Sequence, residues 1–462
     1  MCGAGAPARK SGETGVPARP PQAITSSSVE EGFMSTPFAW NSTGPKLLLA
    51  AVLALLVVTS QPAHAQTESV LYSFCSITNC TDGFGPNGNL TLDTQGNVYG
   101  ATQYGGADQN GTVFKVTASG TETVLHSFLR GAGTSPEGSL IWDAKGNLYG
   151  TTLGNGYVGL LGQHFFGTVF ELEPHSFKFL YRFLETDQEN GAQPTPGLVR
   201  DPQGNLYGTT QYGGAHGCAT GYGCGTVFKV TPDKTETVLH SFSGGTDGEQ
   251  PHGGLVADSE GNLYGTTEFG GTGTGCEESS GCGTVFKVTP SGAETVLYSF
   301  AGGDDGARPL AGLAIDSQGN LYGTTAFGGT GCGGDTGCGT VFKITPSGAE
   351  TVLYNFAGGT DADGPWASLV LDGQGNLYGT SYYGGGASGC SGGSGCGTVF
   401  KVTLGGTETV LYRFTGGTDG ARPYGGLVMD AQGNLYGTTY EGGVGDCYDG
   451  LPGCGVVFKV TP

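Results

Sequence analysis

The sequence predicts an all-β fold, a seven-bladed β-propeller with four antiparallel strands per blade. Three observations predict it: a repeat in seven copies, a composition rich in turn formers, and chain ends that complement one another. The string Gly-Asn-x-Tyr-Gly recurs with its Asn at Asn97, Asn147, Asn205, Asn262, Asn320, Asn376 and Asn434, spaced by 50 to 58 residues. Gly-Thr-Val-Phe starts at Gly111, Gly167, Gly225, Gly283, Gly339 and Gly397, and its seventh copy is Gly455-Val456-Val457-Phe458. A string close to ETVLYSF ends at Phe74, Phe128, Phe183, Phe242, Phe300, Phe356 and Phe414. Glycine supplies 92 of 462 residues, without a G-X-Y period, which excludes collagen and disfavours long helices. A hydrophobic share of 37% leaves enough apolar matter for a core.

Residues 1–45 read as a leader, either disordered or an upstream extension of a chain that starts at Met34. Lys46 then precedes an apolar run of 12 residues, Leu47 to Val58, and the small-x-small site Ala63-His64-Ala65. A basic flank, a short apolar region and such a site describe a secretory signal peptide over 46–65. The run is too short for an ordinary transmembrane helix. The propeller is expected over 66–462, with no membrane span after cleavage.

Each period reads as four short strands punctuated by Gly, Asp, Pro and Ser. In residues 254–300 these are Gly254 to Ala257, Asn262 to Thr267, Thr284 to Thr289 and Glu294 to Phe300. Four strands in 50-odd residues is the period of a propeller blade. The repeats lie near 89–128, 139–183, 197–242, 254–300, 311–356, 368–414 and 425–462. A solenoid of the same unit is the competing architecture. The ends decide against it: the chain opens with a lone fourth strand, 68–74, and finishes on a third. Pairing the two closes the ring and removes two exposed edges.

The strings GNLYGTT, YGG or FGG, GTVFKVTP and ETVLYSF resemble the GloVer tandem-repeat family of bacterial "choice-of-anchor" proteins. The match covers about residues 68–462. The Gly-Leu-x-x-Asp-x-x-Gly-Asn-Leu-Tyr string is also similar to the inner-strand signature of NHL-type propellers, which implies that the Gly-Leu strand lies nearest the axis. The resemblance implies an exported propeller and carries no established activity. No tail follows Pro462, so no sorting anchor is expected.

A net charge of −21 repels phosphate backbones and acidic membranes, so nucleic acid is a poor partner. Twelve cysteines form local pairs: Cys75/Cys80, Cys218/Cys224, Cys276/Cys282, Cys332/Cys338, Cys390/Cys396 and Cys447/Cys454. Behind a signal peptide they imply disulfides and an extracellular, periplasmic or envelope location. Zinc is the weaker reading, given the spacings and the scarcity of nearby His. Five pairs lie between strands two and three, on the face that also carries the loops after strand four. There they are expected to stiffen Gly-rich loops that have little side-chain packing of their own. That long-loop face is the default binding face.

Asp93, Asp143, Asp201, Asp258, Asp316, Asp372 and Asp430 precede x-x-Gly-Asn and read as turn caps. Asp247, Asp305, Asp361, Asp363 and Asp419 lie in the long loops, where solvated turns or calcium ligation are the alternatives; calcium is the one cofactor considered. Tyr104, Tyr212, Phe269, Phe327 and Tyr383 follow strand two and would either stack on sugar rings or pack between blades. His126 and His240 stand in a slot otherwise held by Tyr, as strand substitutions; His216 and His252 lie in long loops. The second blade departs most from the pattern, at Leu153 to Phe166 and Glu171 to Glu173. Arg308 and Arg422 mark equivalent loops of two blades only. No catalytic residue is assigned. The leading expectation is an exported binding or scaffold propeller that engages a glycan or a protein through its long-loop face. A metal-dependent lyase or lactonase and a purely structural envelope component are the alternatives, which the fold does not separate.

Overall fold

The computed structural model describes residues 66–129, 133–154, 165–184, 189–214, 218, 222–276, 281–332, 337–390, 393–445, 447 and 453–462. The stretches expected to be a leader and a signal peptide (1–65), most of the Leu153 to Phe166 departure, and His216 lie outside them. Within them the chain forms seven antiparallel sheets in sequence order, the blades of a β-propeller. The fourth repeat shows the plan. Leu263–Phe269 pairs with Thr284–Val288, which pairs with the outer strand Glu294–Ser299. The inner strand is not the single piece 254–257 expected. It is two short pieces, Glu249–Pro251 and Val256–Ala257, pairing with the two ends of Leu263–Phe269. Pro251 has no N–H to donate, so the ladder breaks after it.

The repeated strings have packing reasons. The last Gly of Gly-Asn-x-Tyr-Gly is a matter of space. At Gly265 a Cβ would lie 2.6 Å from Phe286 Cζ and 3.0 Å from Leu255 Cδ2. The other six blades repeat this crowding between the Phe of strand three and the Leu of strand one. The Phe ending each outer strand then meets the strand-three Phe of the next blade edge-on. Centroids are 4.9 to 5.4 Å apart at Phe74–Phe114, Phe128–Phe170, Phe183–Phe228, Phe242–Phe286, Phe300–Phe342, Phe356–Phe400 and Phe414–Phe458. These rings are fully buried, so the core is seven seams between blades rather than one central mass.

A bulge shapes each outer strand. Val285 pairs with Tyr298 but Phe286 with Val296, leaving Leu297 unpaired. A bulge bends and twists its strand. The Leu297 carbonyl oxygen then lies 2.7 Å from where a Cβ on Gly348, in the next blade's turn, would sit. At the ring's end Thr67–Ser73 pairs with Val456–Thr461, so the first strand completes the last blade.

All twelve paired cysteines form the six expected disulfides. They do more than stiffen loops, because the second cysteine of each pair belongs to the core. Cys80, Cys224, Cys282, Cys338, Cys396 and Cys454 are all buried and pack into the apolar clusters of the seams. The first cysteines Cys218, Cys276 and Cys332 are only half-buried. The reason is position. Cys224, Cys282 and Cys338 directly precede the Gly that leads into strand three, a strand in the middle of its sheet. Their carbonyl oxygens accept N–H groups from the next blade: Gln250 (2.8 Å), Arg308 (2.8 Å) and Gly364 (3.1 Å). Each disulfide therefore anchors a loop to the core.

Four disulfides also lie under the first Gly of the loop after strand four. A Cβ on Gly244, Gly302, Gly358 or Gly416 would come within 3.2 Å of a disulfide sulfur. The two kinds of long loop are thus tied together. Asp258 shows what the turn aspartates do. It accepts the N–H groups of Glu260 and Asn262 (both 2.9 Å), Asn262 Nδ2 (2.7 Å) and the Tyr264 hydroxyl (2.9 Å). Desolvation opposes its ionisation, but these donors outweigh it and hold the carboxyl below its usual range.

Candidate functional site

Every inner strand carries the same frame, a Pro four residues before a Leu. The pairs are Pro86/Leu90, Pro136/Leu140, Pro194/Leu198, Pro251/Leu255, Pro309/Leu313, Pro365/Leu369 and Pro423/Leu427. The residue after the Pro differs in all seven blades: Asn87, Glu137, Thr195, His252, Leu310, Trp366 and Tyr424. At the next two positions every blade but the first and third carries only Gly, Ala or Ser, and neighbouring inner strands touch there. A Cβ on Gly88 would lie 2.7 Å from the Gly138 Cα, and one on Gly197 2.8 Å from the Gly254 Cα. Six of the seven variable side chains line a central cavity of about 220 Å³. Thr195 turns away and bonds Thr209 (Oγ1 to Oγ1, 2.5 Å).

The cavity is chemically asymmetric. Desolvation pushes the Glu137 carboxyl up to about 7. Asn87 Nδ2 stands 3.5 Å from Glu137 Oε1, the outer limit of a hydrogen bond. Burial holds the His252 imidazole below its usual range, so it is neutral at pH 7. Burial first, then Glu137, pushes Tyr424 up to about 12. Across the cavity Trp366 stacks on Tyr382 (centroids 4.3 Å, planes 21° apart), with Tyr424 edge-on at 5.7 Å. The buried Trp366 Nε1 has no hydrogen-bond partner.

The rim is built from the residue before each Pro, and that residue is left-handed in every blade. Its φ is 62° at Gly85, 55° at Ser135, 54° at Gln193, 56° at Gln250, 54° at Arg308, 61° at Gly364 and 55° at Arg422. A chain with 92 glycines spends only two of them here. Left-handed non-glycine residues are uncommon and gather at functional sites. Arg422 Nη1 donates to Glu441 Oε1 (2.9 Å) and to the Tyr382 hydroxyl (3.3 Å). The Arg308 guanidinium lies over Phe269 (5.0 Å) and Phe327 (5.4 Å), and 4.0 Å from Glu268. Both cations are thus charge-compensated. The rim presents flat apolar faces and paired polar groups.

The five aromatic residues singled out from sequence do not form one ring. Phe269 and Phe327 come together around Arg308. Tyr383 joins Tyr382 (4.7 Å) and Trp366 (5.9 Å). Tyr104 stacks on Phe84 (5.2 Å). Tyr212 faces Tyr222 (6.3 Å) across a groove of about 360 Å³.

The loop aspartates do not converge either. Asp305 accepts the Tyr298 hydroxyl (2.7 Å) and the Ala301 N–H (2.5 Å). Asp361 accepts the Tyr354 hydroxyl (3.1 Å) and the Ala357 N–H (2.8 Å). Asp419 accepts the Tyr412 hydroxyl (3.0 Å) and the Thr415 N–H (2.8 Å). Asp247 takes the same post, with His240 as its ring partner (3.2 Å). Asp363 lies on a short strand paired with Tyr383, and burial raises its pKa. Each of the first four ties an outer strand to the loop that follows it.

Sequence reasoning missed the channel residues. Their signal is one letter per repeat: the position that varies in every copy, three residues before an invariant Leu.

Residues 56–276 and 274–462 match the Gloeobacter/Verrucomicrobia repeat. No protein of curated function matches the chain. Among solved structures, a gluconolactonase from Xanthomonas campestris aligns at 12% identity over 86% of this chain and 89% of its own, with a TM-score of 0.37. The extracellular domain of a one-component system from B. thetaiotaomicron aligns at 14% identity over 86% of this chain and 42% of its own, with a TM-score of 0.48. A luciferin-regenerating enzyme aligns at 16% identity over 73% of this chain and 95% of its own, with a TM-score of 0.40.

Proposed function

The chain belongs to the Gloeobacter/Verrucomicrobia repeat family, and from that premise we propose an exported binding protein that takes the end of a neutral glycan into its channel mouth. One observation carries the reading: the channel residue differs in every blade while the Pro before it and the Leu three residues after it do not. Seven different side chains at one position of an otherwise similar strand make a single asymmetric site out of seven similar units.

The chemistry supports a sugar. Trp366, Tyr382 and Tyr424 offer ring faces and edges. Asn87, Glu137 and His252 offer donors and acceptors, as do the compensated Arg–Glu pairs of the rim. The net charge of −21 disfavours polyanions. A cavity of about 220 Å³ is small beside the roughly 300–1,000 Å³ of typical ligand sites, and suits one terminal ring of a longer chain. Six disulfides support an oxidising, extracytoplasmic location.

The test is a screen of neutral oligosaccharides against the oxidised protein, repeated on Trp366→Ala and Tyr424→Ala. Binding should weaken at least about tenfold in each, on the scale of one lost aromatic contact, and persist in Tyr104→Ala. Sugar binding that survives both channel substitutions would refute the channel reading. A screen without hits would refute the glycan.

A further inference from the structure

We infer that the seam between the third and fourth blades is a divalent metal site, formed by His240, Asp247 and Glu294 and suited to zinc. The site is independent of the channel reading.

Five seams share one arrangement. A ring on an outer strand meets an Asp in the loop after it, and the first Glu of the next blade's outer strand lies beside that Asp. The sets are Tyr72, Asp82 and Glu122; His240, Asp247 and Glu294; Tyr298, Asp305 and Glu350; Tyr354, Asp361 and Glu408; Tyr412, Asp419 and Glu68. In each, one Glu oxygen is buried without a partner. Four sets carry a Tyr, whose hydroxyl gives the Asp a proton to hold. Only one replaces it with an imidazole, which brings a lone pair instead.

That replacement turns a hydrogen-bonded seam into a ligand set. One atom each from His240, Asp247 and Glu294 lies within 4.8 Å of the other two. His240 Nε2 and Asp247 Oδ1 are 3.2 Å apart. Two ligand atoms about 2.0–2.1 Å from a tetrahedral ion stand about 3.3 Å apart, so this pair is already at ligand spacing and Glu294 closes in to complete the set. Asp247 Oδ2 is already held by the Ser243 N–H (2.7 Å) and hydroxyl (2.9 Å), leaving Oδ1 to face the imidazole. Phe242 meets the imidazole edge-on at 4.8 Å and fixes its plane. The His240 and Asp247 side chains are each 19% exposed, which leaves an entry path and a fourth position for water. One imidazole and two carboxylates suit zinc or a similar divalent ion better than calcium, which prefers all-oxygen sites. Because Glu294 comes from the next blade, a bound ion cross-links the two.

The other cluster of metal-ligating side chains among the described residues, Cys75, Cys80 and Cys454, is already committed to disulfides.

The experiment is a cobalt titration of the tag-free full chain, read by visible absorption, with zinc competition and stoichiometry by native mass spectrometry. One equivalent should bind and raise the unfolding temperature. His240→Tyr installs the residue that the sister seams carry, so folding is preserved while affinity should fall by roughly a hundredfold or more. Glu294→Gln should weaken binding likewise, and His126→Tyr should leave it unchanged. Absence of binding in the unaltered protein would overturn the inference. So would binding that His240→Tyr leaves intact.

Discussion

Glycine does two separable jobs in this chain, and single residues show which. Gly265 has an ordinary backbone but no room, since a Cβ would strike Phe286 at 2.6 Å. Gly96 has room in every direction but a φ of +78°. Gly265→Ala should therefore cost about 1–3 kcal/mol by overpacking, and Gly96→Ala about 1 kcal/mol by backbone strain. Gly96→Asn should cost less than Gly96→Ala, because Asn tolerates the left-handed region, whereas Gly265→Asn should be worse than Gly265→Ala. Urea denaturation of the four variants distinguishes the two jobs. At the rim the logic inverts. Gln193 is left-handed at φ 54° with no glycine to ease it. Gln193→Gly should stabilise the fold by about 1 kcal/mol. Equal or lower stability on denaturation would mean that the side chain holds the rim together.

At the scale of the strand and loop, the repeat was legible because strand periodicity and turn residues are local properties. Seven copies made the blade count, the disulfide pairs and the ring closure legible. The site was illegible for the opposite reason. Asn87, Glu137, His252, Trp366 and Tyr424 belong to different blades and meet only at the axis. In any one repeat each is an ordinary letter between a Pro and a Leu. His240 is the strand substitution that the sequence suggests, but its nearness to Glu294 was hidden because the two lie a whole repeat apart. The inner strand was misjudged as one piece because the effect of Pro251 on pairing is seen only once its partner strand is known. The burial of Cys224, Cys282 and Cys338 was hidden in the same way, since the blade that covers each of them is the next one along the chain. The disulfides should prove modest contributors. Replacing Cys390 and Cys396 together by Ala should cost about 2 kcal/mol, given the short loop they close. Loss of folding altogether in that variant would mean that the loops are organised by the bond rather than braced by it.

For the whole molecule, the seams make stability depend on pH in an unusual direction. Desolvation first, then a neighbouring Asp, pushes Glu68, Glu122, Glu294, Glu350 and Glu408 up to about 7 from 4.5. Desolvation alone does the same for Glu137. Between those values the folded state holds more protons than the unfolded, so stability falls as pH rises from about 4.5 through 7. Burial lowers the pKa of His126 and His252, and these two work the other way below 6.5, against six carboxyls. The seven turn aspartates, held below 3.8, cause a loss only as pH drops past that value. The metal-free protein should therefore melt higher near pH 5 than near pH 8. Replacing Glu122, Glu350 and Glu408 together by Gln should shrink the difference. A melting temperature that climbs from pH 5 to pH 8 would contradict the seam electrostatics.

Thr67 and Thr461 are pairing partners, and the chain between them is almost the entire protein. Contacts of such sequence separation form late and slowly. The strand made first must stay unpaired until the strand made last is available, whatever the order in which the inner blades settle. Closure is then an event of its own. Before it, the molecule offers an open edge at 456–461 to any passing strand; after it, that edge is covered by 67–73. Time spent open, rather than equilibrium stability, would then set how much of the chain is lost to misassembly.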